Sequence, residues 1–511
     1  MEKDNPNEKY LKMITYLKKL SKKNIHIIGI SGLEGWAMLD FFLTKGFQNI
    51  TAHDFIEEND FQRNFIKNHP GISSKETKKI LSKLSIYKKR IKFFFKKNYL
   101  KEIDKADFIF VPQSWFLYKE NRRLFKIKNK IPFLGIINIY FAFAPAKIIG
   151  ITGSYGKTTT SRLTYYTLKK SNKRTFYGGN DKKAAQSLSE IPKMKKNDFL
   201  VLEISHRQLM NYKNLLSNPK SNAQNLTRTP FIAVVLNISR NHLDEVKTFK
   251  EYRELKKRIL LFQNPKEFSI LNYDDLSVRK FATQVKSKTV FFSVKKPLKQ
   301  GVFFDKKSGY LAIKTKKKII KIIKKEELCF QAQNHLEDVL AAITVSFLAK
   351  VKIKNIKRAI KDFSWPRDCL ENLGKIGGIN YYNNLASTTP ESTEIAIKSL
   401  EPSRKKDDGK RLILITGGED KKSNYKKLSN LIKKNVEYLI LFQDTVSNKL
   451  IKWFSEEERK SIKKAANLKE AIKIAKEKSR EGDSILLSPS GAFFQTKYGK
   501  RKNLLKLVFT P

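Results

Sequence analysis

The chain has 511 residues, enough for about three domains with separate cores, so a single globular unit would be unusual. Lys and Arg number 104 against 49 Asp and Glu, a formal net charge of +55, but the excess runs through every segment alongside abundant Lys, Asn, Ile and Phe. That is the surface bias of an AT-rich genome rather than a localised patch, so no nucleic-acid partner is expected. Two distant cysteines, Cys329 and Cys369, provide neither a disulfide framework nor metal-ligand spacing.

No run of about 18 apolar residues occurs, and the first nine residues are polar and mixed in charge, unlike a signal peptide. A cytoplasmic protein is expected. Its positive field would attract phosphorylated substrates and, weakly, an anionic membrane surface.

In chain order, a helix over residues 10–20 precedes an apolar strand over 25–30, which runs into the glycine turn Gly29-Ile30-Ser31-Gly32-Leu33-Glu34-Gly35 and an apolar helix to Leu43. A second strand, 49–52, leads to Asp54. Glycine turn, helix and an acid after the second strand form the layout of a nucleotide-binding doubly wound unit, which makes Asp54 a candidate substrate contact. Residues 55–102 read as a basic helical insertion with aromatic core contacts. Strands resume at 108–111 and 132–137. The stretch 131–151, interrupted by Pro132, Asn138, Pro145 and Lys147, reads as strand plus connector, with a linker at Phe143-Ala144-Pro145-Ala146.

The strongest motif follows: Ile148-Ile149-Gly150-Ile151-Thr152-Gly153-Ser154-Tyr155-Gly156-Lys157-Thr158-Thr159-Thr160. An apolar strand stops at a glycine-rich turn and an amphipathic helix begins at Lys157. Such a turn aims backbone N–H groups at one spot, a helix N-terminus adds positive potential, the lysine reaches terminal phosphates and a hydroxyl can ligate Mg²⁺. Strands at 199–203, 232–237, 269–272 and 289–293 alternate with helices, as in a mainly parallel sheet. Their polar ends, Glu203 and Asn237 with nearby His242 and Asp244, fall where ligands bind in open α/β sheets. Together with Thr158 they suggest magnesium-assisted phosphoryl transfer. Residues 302–323 read as hairpins and 334–349 as an apolar helix. A third β/α series has strands at 379–383, 412–416, 438–442 and 484–487 and helices at 391–400, 425–433 and 468–479.

These motifs, in this order, resemble the Mur ligases, ATP-dependent amino-acid ligases of peptidoglycan precursor synthesis, and most closely the type that adds glutamate to UDP-N-acetylmuramoyl-L-alanine. The stretch from Ile149 to Thr160 resembles the family's ATP loop with Tyr155 in place of asparagine. Gly178-Gly179-Asn180 resembles the motif that contacts the muramoyl-peptide. Glu203-Ile204-Ser205-His206-Arg207-Gln208-Leu209 resembles a segment whose glutamate binds Mg²⁺, and Asn237 with Asn241-His242-Leu243-Asp244 one whose histidine binds the second Mg²⁺. Tyr252-Arg253-Glu254-Leu255-Lys256 places Lys256 where the family carries a carbamylated lysine.

The resemblance implies three consecutive α/β domains: an N-terminal Rossmann-like UDP-binding unit (1–146), a central phosphate-loop unit (147–364) and a C-terminal Rossmann-like amino-acid-binding unit (365–511). It implies ATP and two Mg²⁺ ions as cofactors, UDP-N-acetylmuramoyl-L-alanine and glutamate as substrates, and a monomer. Implied ATP contacts are Gly150, Thr152, Gly153, Ser154, Gly156, Lys157, Thr158, Thr159, Asn334, Arg367 and Asn384. Implied metal ligands are Thr158, Glu203, His242 and Lys256; Lys157, His242 and Lys256 are the catalytic residues. Asp54, Asn180, Thr388, Lys421 and Ser488 are the implied substrate contacts.

The chain also departs from the family pattern. An adenine-side asparagine is Asp338, within Gln333-Asn334-His335-Leu336-Glu337-Asp338. An ATP-binding arginine aligns with Cys369, for which Arg367 is the nearby substitute. An acid becomes Asn384, Phe493 stands where a serine is usual, and the uridine-side motif reads Pro112-Gln113-Ser114. Ser387-Thr388-Thr389-Pro390 resembles a subgroup that adds L-glutamate, while D-glutamate is the commoner substrate of the family. A folylpolyglutamate-type ligase, a basic nucleic-acid binder and a noncatalytic relative are the competing readings.

Overall fold

Apolar runs bounded by glycine or polar turns become strands in all three parts of the chain, and each part builds its own sheet. The computed structural model describes residues 21–69, 72–181, 186–212, 229–239, 245–246, 248–261, 263–400, 411–492 and 494–509. The helix expected over 10–20 lies outside them, as do His242, Asp244 and Phe493.

The first sheet has five parallel strands, β1 (Ile25–Ile28), β2 (Ile50–Asp54), β3 (Lys92–Phe95), β4 (Phe108–Phe110) and β5 (Phe133–Leu134), in the order β3-β2-β1-β4-β5. Two expectations are corrected here. The 55–102 segment is not purely helical. After helices at Phe61–Asn68 and Ser74–Lys88, Lys92–Phe95 pairs with β2 and closes that edge of the sheet, because three consecutive phenylalanines are worth more packed on a pleated surface than in solvent. Within 131–151, only Phe133–Leu134 is strand before the phosphate-loop strand begins at Lys147; Ile136–Phe143 is a helix. Nearly every residue of that helix is buried, so its apolar sequence has no periodicity to distinguish it from a strand.

The central sheet has nine strands: β6 (Lys147–Thr152), β7 (Thr175–Gly179), β8 (Phe199–Glu203), β9 (Ile232–Val235), β10 (Phe268–Asn272), β11 (Lys288–Ser293), β12 (Gly301–Asp305), β13 (Tyr310–Lys314) and β14 (Ile319–Lys324). Their order is β14-β13-β12-β11-β10-β9-β6-β8-β7, parallel from β7 to β12 and antiparallel in the hairpins that follow. Both faces are covered. Ile148, Leu200 and Leu202 join one core with the first sheet and the Ile136–Phe143 helix, whereas Ile149, Ile151 and Val201 pack under the Lys157–Lys170 and Leu336–Leu348 helices. Burial on two sides explains why these strands read as continuous apolar runs.

The third sheet runs β15 (Glu371–Ile376), β16 (Ile379–Asn383), β17 (Leu412–Thr416), β18 (Tyr438–Phe442), β19 (Lys463–Ala465) and β20 (Ser484–Leu487), in the order β15-β16-β20-β17-β18-β19. Only β15 is antiparallel to its neighbour. The edge strands β15 and β19 escape sequence reading because both are short on buried apolar residues. Among the described residues, no helix is long and apolar enough to cross a membrane.

Candidate active site

β6 lies between β8 and β9, so the phosphate loop at its end is flanked by the ends of both neighbours. A cavity of about 950 Å³ opens there, walled by the loop, by the ends of the central strands and by residues of the third unit. Gly156 sits at φ +79° at the foot of the Lys157–Lys170 helix, and a Cβ there would lie 2.1 Å from an Asp338 carboxylate oxygen. Left-handed backbone and close approach together exclude other residues.

The loop is braced from β9. Asn237 Oδ1 accepts from the backbone N–H groups of Ser154 and Tyr155 at 2.9 and 3.0 Å. Lys157 Nζ folds back onto the carbonyl oxygens of Gly153 and Ser154, both at 2.9 Å. Burial lowers its pKa, opposed by Glu203 and Asp338.

Glu203, at the end of β8, is buried, with one carboxylate oxygen accepting from the Thr158 hydroxyl and the other from the Asn180 amide, each at 2.7 Å. Asn180 comes within reach because β7 and β8 crowd at their ends. Gly179 has φ +100° and a Cβ there would fall 2.1 Å from the Glu203 carbonyl oxygen. A buried carboxylate satisfied by a hydroxyl and an amide alone, beside a phosphate loop, is a hard-oxygen donor set of the kind Mg²⁺ takes. The residues present fit the ion, although no cluster of three His, Cys, Asp or Glu occurs among the described residues.

Lys256 is buried on the Phe249–Lys257 helix, and its Nζ donates to the Thr152 hydroxyl at 3.1 Å and the Gly153 carbonyl at 2.9 Å. Burial, then the neighbouring Lys157, pushes its pKa well down. Tyr252, one turn earlier, brings its hydroxyl 3.4 Å from Ser154 Oγ.

An acidic wall closes the cavity on the Leu336–Leu348 helix. Asp338 Oδ1 accepts from Thr160 Oγ1 at 2.9 Å, and Glu337 Oε1 accepts from the amides of Asn237 (3.0 Å) and Asn272 (2.7 Å). Burial raises both carboxyls to about 7. Cys369 Sγ approaches His335 Nε2 at 3.5 Å, and burial pushes its thiol up to about 12, so it is a neutral packing group.

The other expected site residues are scattered. Ser154, Gly156, Lys157, Thr158, Thr159, Asn180, Glu203, Asn334, Asn384 and Thr388 line the cavity. Thr152 and Gly153 lie just behind it, holding Lys256. Gly150 is mid-strand, where a Cβ would meet Ile259 and Ile204 side chains at 2.9 and 3.1 Å; its smallness serves packing. Asn384 is tied to Ser488, its amide donating to the serine hydroxyl at 2.9 Å. Asp54 is buried, accepting from the Ser31 N–H at 2.7 Å, so it holds the first glycine turn in shape. Arg367 is exposed, and neither it nor Lys421 lines the cavity. Asn272 and Glu337 are not among the site residues the motifs single out; the one sequence signal for the pair is an asparagine closing a strand.

Fold and site define a nucleotide-binding α/β protein in which a phosphate loop faces a second, separately folded sheet across a cleft. Residues 151–356 match the Mur ligase middle domain and residues 370–491 the Mur ligase glutamate ligase domain. The chain is 29% identical over 507 residues to a UDP-N-acetylmuramoylalanine--D-glutamate ligase of Acetivibrio thermocellus, covering 97% of this chain and 98% of that one. With the protein of the same name from Thermoanaerobacter sp. (strain X514) it shares 31% identity over 368 residues, 71% of this chain and 75% of the relative. The fold resembles a pseudomurein peptide ligase type C from Methanothermus fervidus, with TM-score 0.56, 19% identity and coverage of 95% and 100%. It also resembles a MurF ligase from Thermotoga maritima solved with ADP, with TM-score 0.51, 17% identity and coverage of 81% and 88%. The chain belongs to the Mur ligase family.

Proposed function

We propose that the protein is an ATP-dependent ligase that joins D-glutamate to UDP-N-acetylmuramoyl-L-alanine in peptidoglycan precursor synthesis. The observation that carries this reading is Glu203, fixed between Thr158 and Asn180 at the phosphate loop and facing Ser387 and Thr388 across one cavity. Activation and amide formation thus have one shared space. Near-full-length similarity to relatives named for this activity supports the choice of substrates.

The alanyl carboxylate attacks the γ-phosphorus of ATP, releasing ADP and leaving an acyl phosphate. The glutamate amine then adds to the acyl carbon and phosphate leaves from the tetrahedral intermediate. Lys157 exchanges its two carbonyl partners for phosphate oxygens, and the N–H groups at the start of its helix point the same way. Thr158 and Glu203 would hold Mg²⁺, which neutralises phosphate charge when bound; a carbamate on Lys256 would add a ligand. The second of two ions rests on His242, outside the described residues. The division of the strands into three sheets supports domain limits near 146 and 364.

Phosphate release from ATP, measured with UDP-N-acetylmuramoyl-L-alanine and either glutamate isomer, tests the proposal. D-glutamate should be preferred by about a hundredfold or more, since a stereocentre misplaced among fixed polar groups leaves them unpaired. Release with L-glutamate alone would move the protein to the L-adding subgroup that Ser387-Thr388-Thr389-Pro390 resembles. Absence of release with both isomers would defeat the proposal.

Asp338 makes a second prediction. Its carboxyl is neutral below about pH 7 and ionises above it, and an ionised Asp338 behind Gly156 opposes the phosphates of ATP. ATP affinity should therefore weaken as pH rises through 7. Asp338→Asn should bind ATP about tenfold more tightly at pH 8.5, as removal of about 1.4 kcal/mol of repulsion implies, with little difference at pH 6. Calorimetric titration of both proteins at the two pH values checks it, the variant cancelling ATP's own titration.

A further inference from the structure

Four polar side chains, three of them buried and Gln113 half-buried, form a closed ring between the first and central sheets. Ser205 and Gln208 begin the His206–Tyr212 helix as a reciprocal cap: Gln208 N–H donates to Ser205 Oγ and Ser205 N–H to Gln208 Oε1, both at 3.1 Å. The remaining capacity of each points into the first unit. Gln208 Nε2 donates to Glu34 Oε1 at 2.7 Å, and Ser205 Oγ donates to Gln113 Oε1 at 2.6 Å. Gln113 N–H closes the ring on Glu34 Oε2 at 2.6 Å. Glu34, Ser205 and Gln208 are nearly inaccessible to solvent.

Each member stands at a functional junction. Glu34 is in the first turn of the helix after the glycine turn, and Gln113 is in the loop beyond β4, both past the C-terminal ends of first-sheet strands, where open α/β sheets take their ligands. Ser205 is two residues beyond Glu203. Between them Ile204 is fully buried, and its N–H donates to the Ile151 carbonyl at 2.8 Å. A shift of Ser205 is therefore passed to Glu203 rather than absorbed.

We propose that Glu34 is a positioning residue, which through Gln113, Ser205 and Gln208 couples the seating of the first unit's loops to the placement of the Glu203 carboxylate. The activity arm of the test rests on the ligase reading above. The donor pattern admits one assignment, because Glu34 must accept twice and Gln208 must donate to it while accepting from Ser205. In Glu34→Gln, the new NH2 faces either the Gln113 N–H or the Gln208 amide, or else Gln208 flips and its amide faces the Ser205 N–H; two donors confront each other in every arrangement, and one is left unpaired. Exchanging the two side chains, Glu34→Gln with Gln208→Glu, restores every bond. The amide now at position 34 accepts from the Gln113 N–H and donates to the carboxylate now at position 208, whose other oxygen accepts from the Ser205 N–H.

For Glu34→Gln, kcat should fall by about tenfold to a hundredfold, the range for groups that orient ligands of a metal site, with KM for ATP within about twofold of wild type. The exchanged double variant should recover to within about threefold. Amide hydrogen exchange at positions 205 and 208 should quicken in the single variant and slow again in the double, a readout independent of turnover. A Glu34→Gln protein with wild-type kcat, whatever its melting temperature, overturns the proposal. So does a double variant that melts like wild type but remains as slow as the single. If wild type itself releases no phosphate, the ligase reading is what fails, and the exchange pattern alone decides the coupling: unchanged exchange in Glu34→Gln refutes it.

Discussion

Lys157→Ala should lose ATP-dependent phosphate release by about a thousandfold while remaining folded. Preorganised cationic and N–H donors aimed at developing phosphate charge supply factors of about 10² to 10³ each, and Lys157 is the cation rooted in the loop. The fold should survive for a separate reason. Nζ donates to the carbonyl oxygens of Gly153 and Ser154, and the Gly153 carbonyl keeps a second donor in Lys256. Two hydrogen bonds from the ammonium are lost, each worth about 1.5–3 kcal/mol, but the loss is partly offset because a charge is no longer buried. Phosphate release and a thermal melt, run on one preparation, give the result. Wild-type turnover in the variant would remove the loop from the reaction.

Lys256→Ala should reduce kcat by about a hundredfold, and millimolar formate or acetate should restore a measurable part of it. The geometry argues for a modified lysine. An ammonium at Nζ is buried close to Lys157, and its hydrogen-bond partners are a hydroxyl and a carbonyl rather than a carboxylate. Such a site favours the neutral amine, the form that adds carbon dioxide, and the carbamate replaces a disfavoured cation with an anion near the Lys157 ammonium. A small carboxylate diffusing into the space left by alanine supplies the same charge. Full activity without added carboxylate, or none regained with it, would count against a carbamate. Mass spectrometry of the wild-type protein is less decisive, since carbamates are lost on acidification.

The strand ends that build the cavity were legible because each is local. A run such as Phe199-Leu200-Val201-Leu202 closing on Glu203, or Ile151-Thr152 closing on a glycine turn, declares both strand and terminus within a few residues. The helix Ile136–Phe143 was not legible, since a segment buried all round shows no period, and neither was β3, whose neighbours are lysines. The spacing that singles out Asp54 gives no hint that one of its carboxylate oxygens accepts from the Ser31 N–H across 23 residues. Proximity in sequence to Cys369 suggests an ATP-side role for Arg367 but does not show that its side chain is exposed to solvent.

Sequence by itself determined the phosphate loop, the acid that ends β8, the alternation of strands with helices and the family they resemble, because backbone sterics and short-range hydrogen bonding act over a few residues. Only tertiary structure decided which groups confront each other across the cavity. Asp338 meets Thr160 from 178 residues away, Lys256 reaches Gly153 across 103, and Glu34 meets Gln208 across 174. No local rule governs those separations. They follow from the order β8-β6-β9, which places the loop between two strand ends, and from the burial of the Leu336–Leu348 helix and of the first unit against opposite faces of the central sheet.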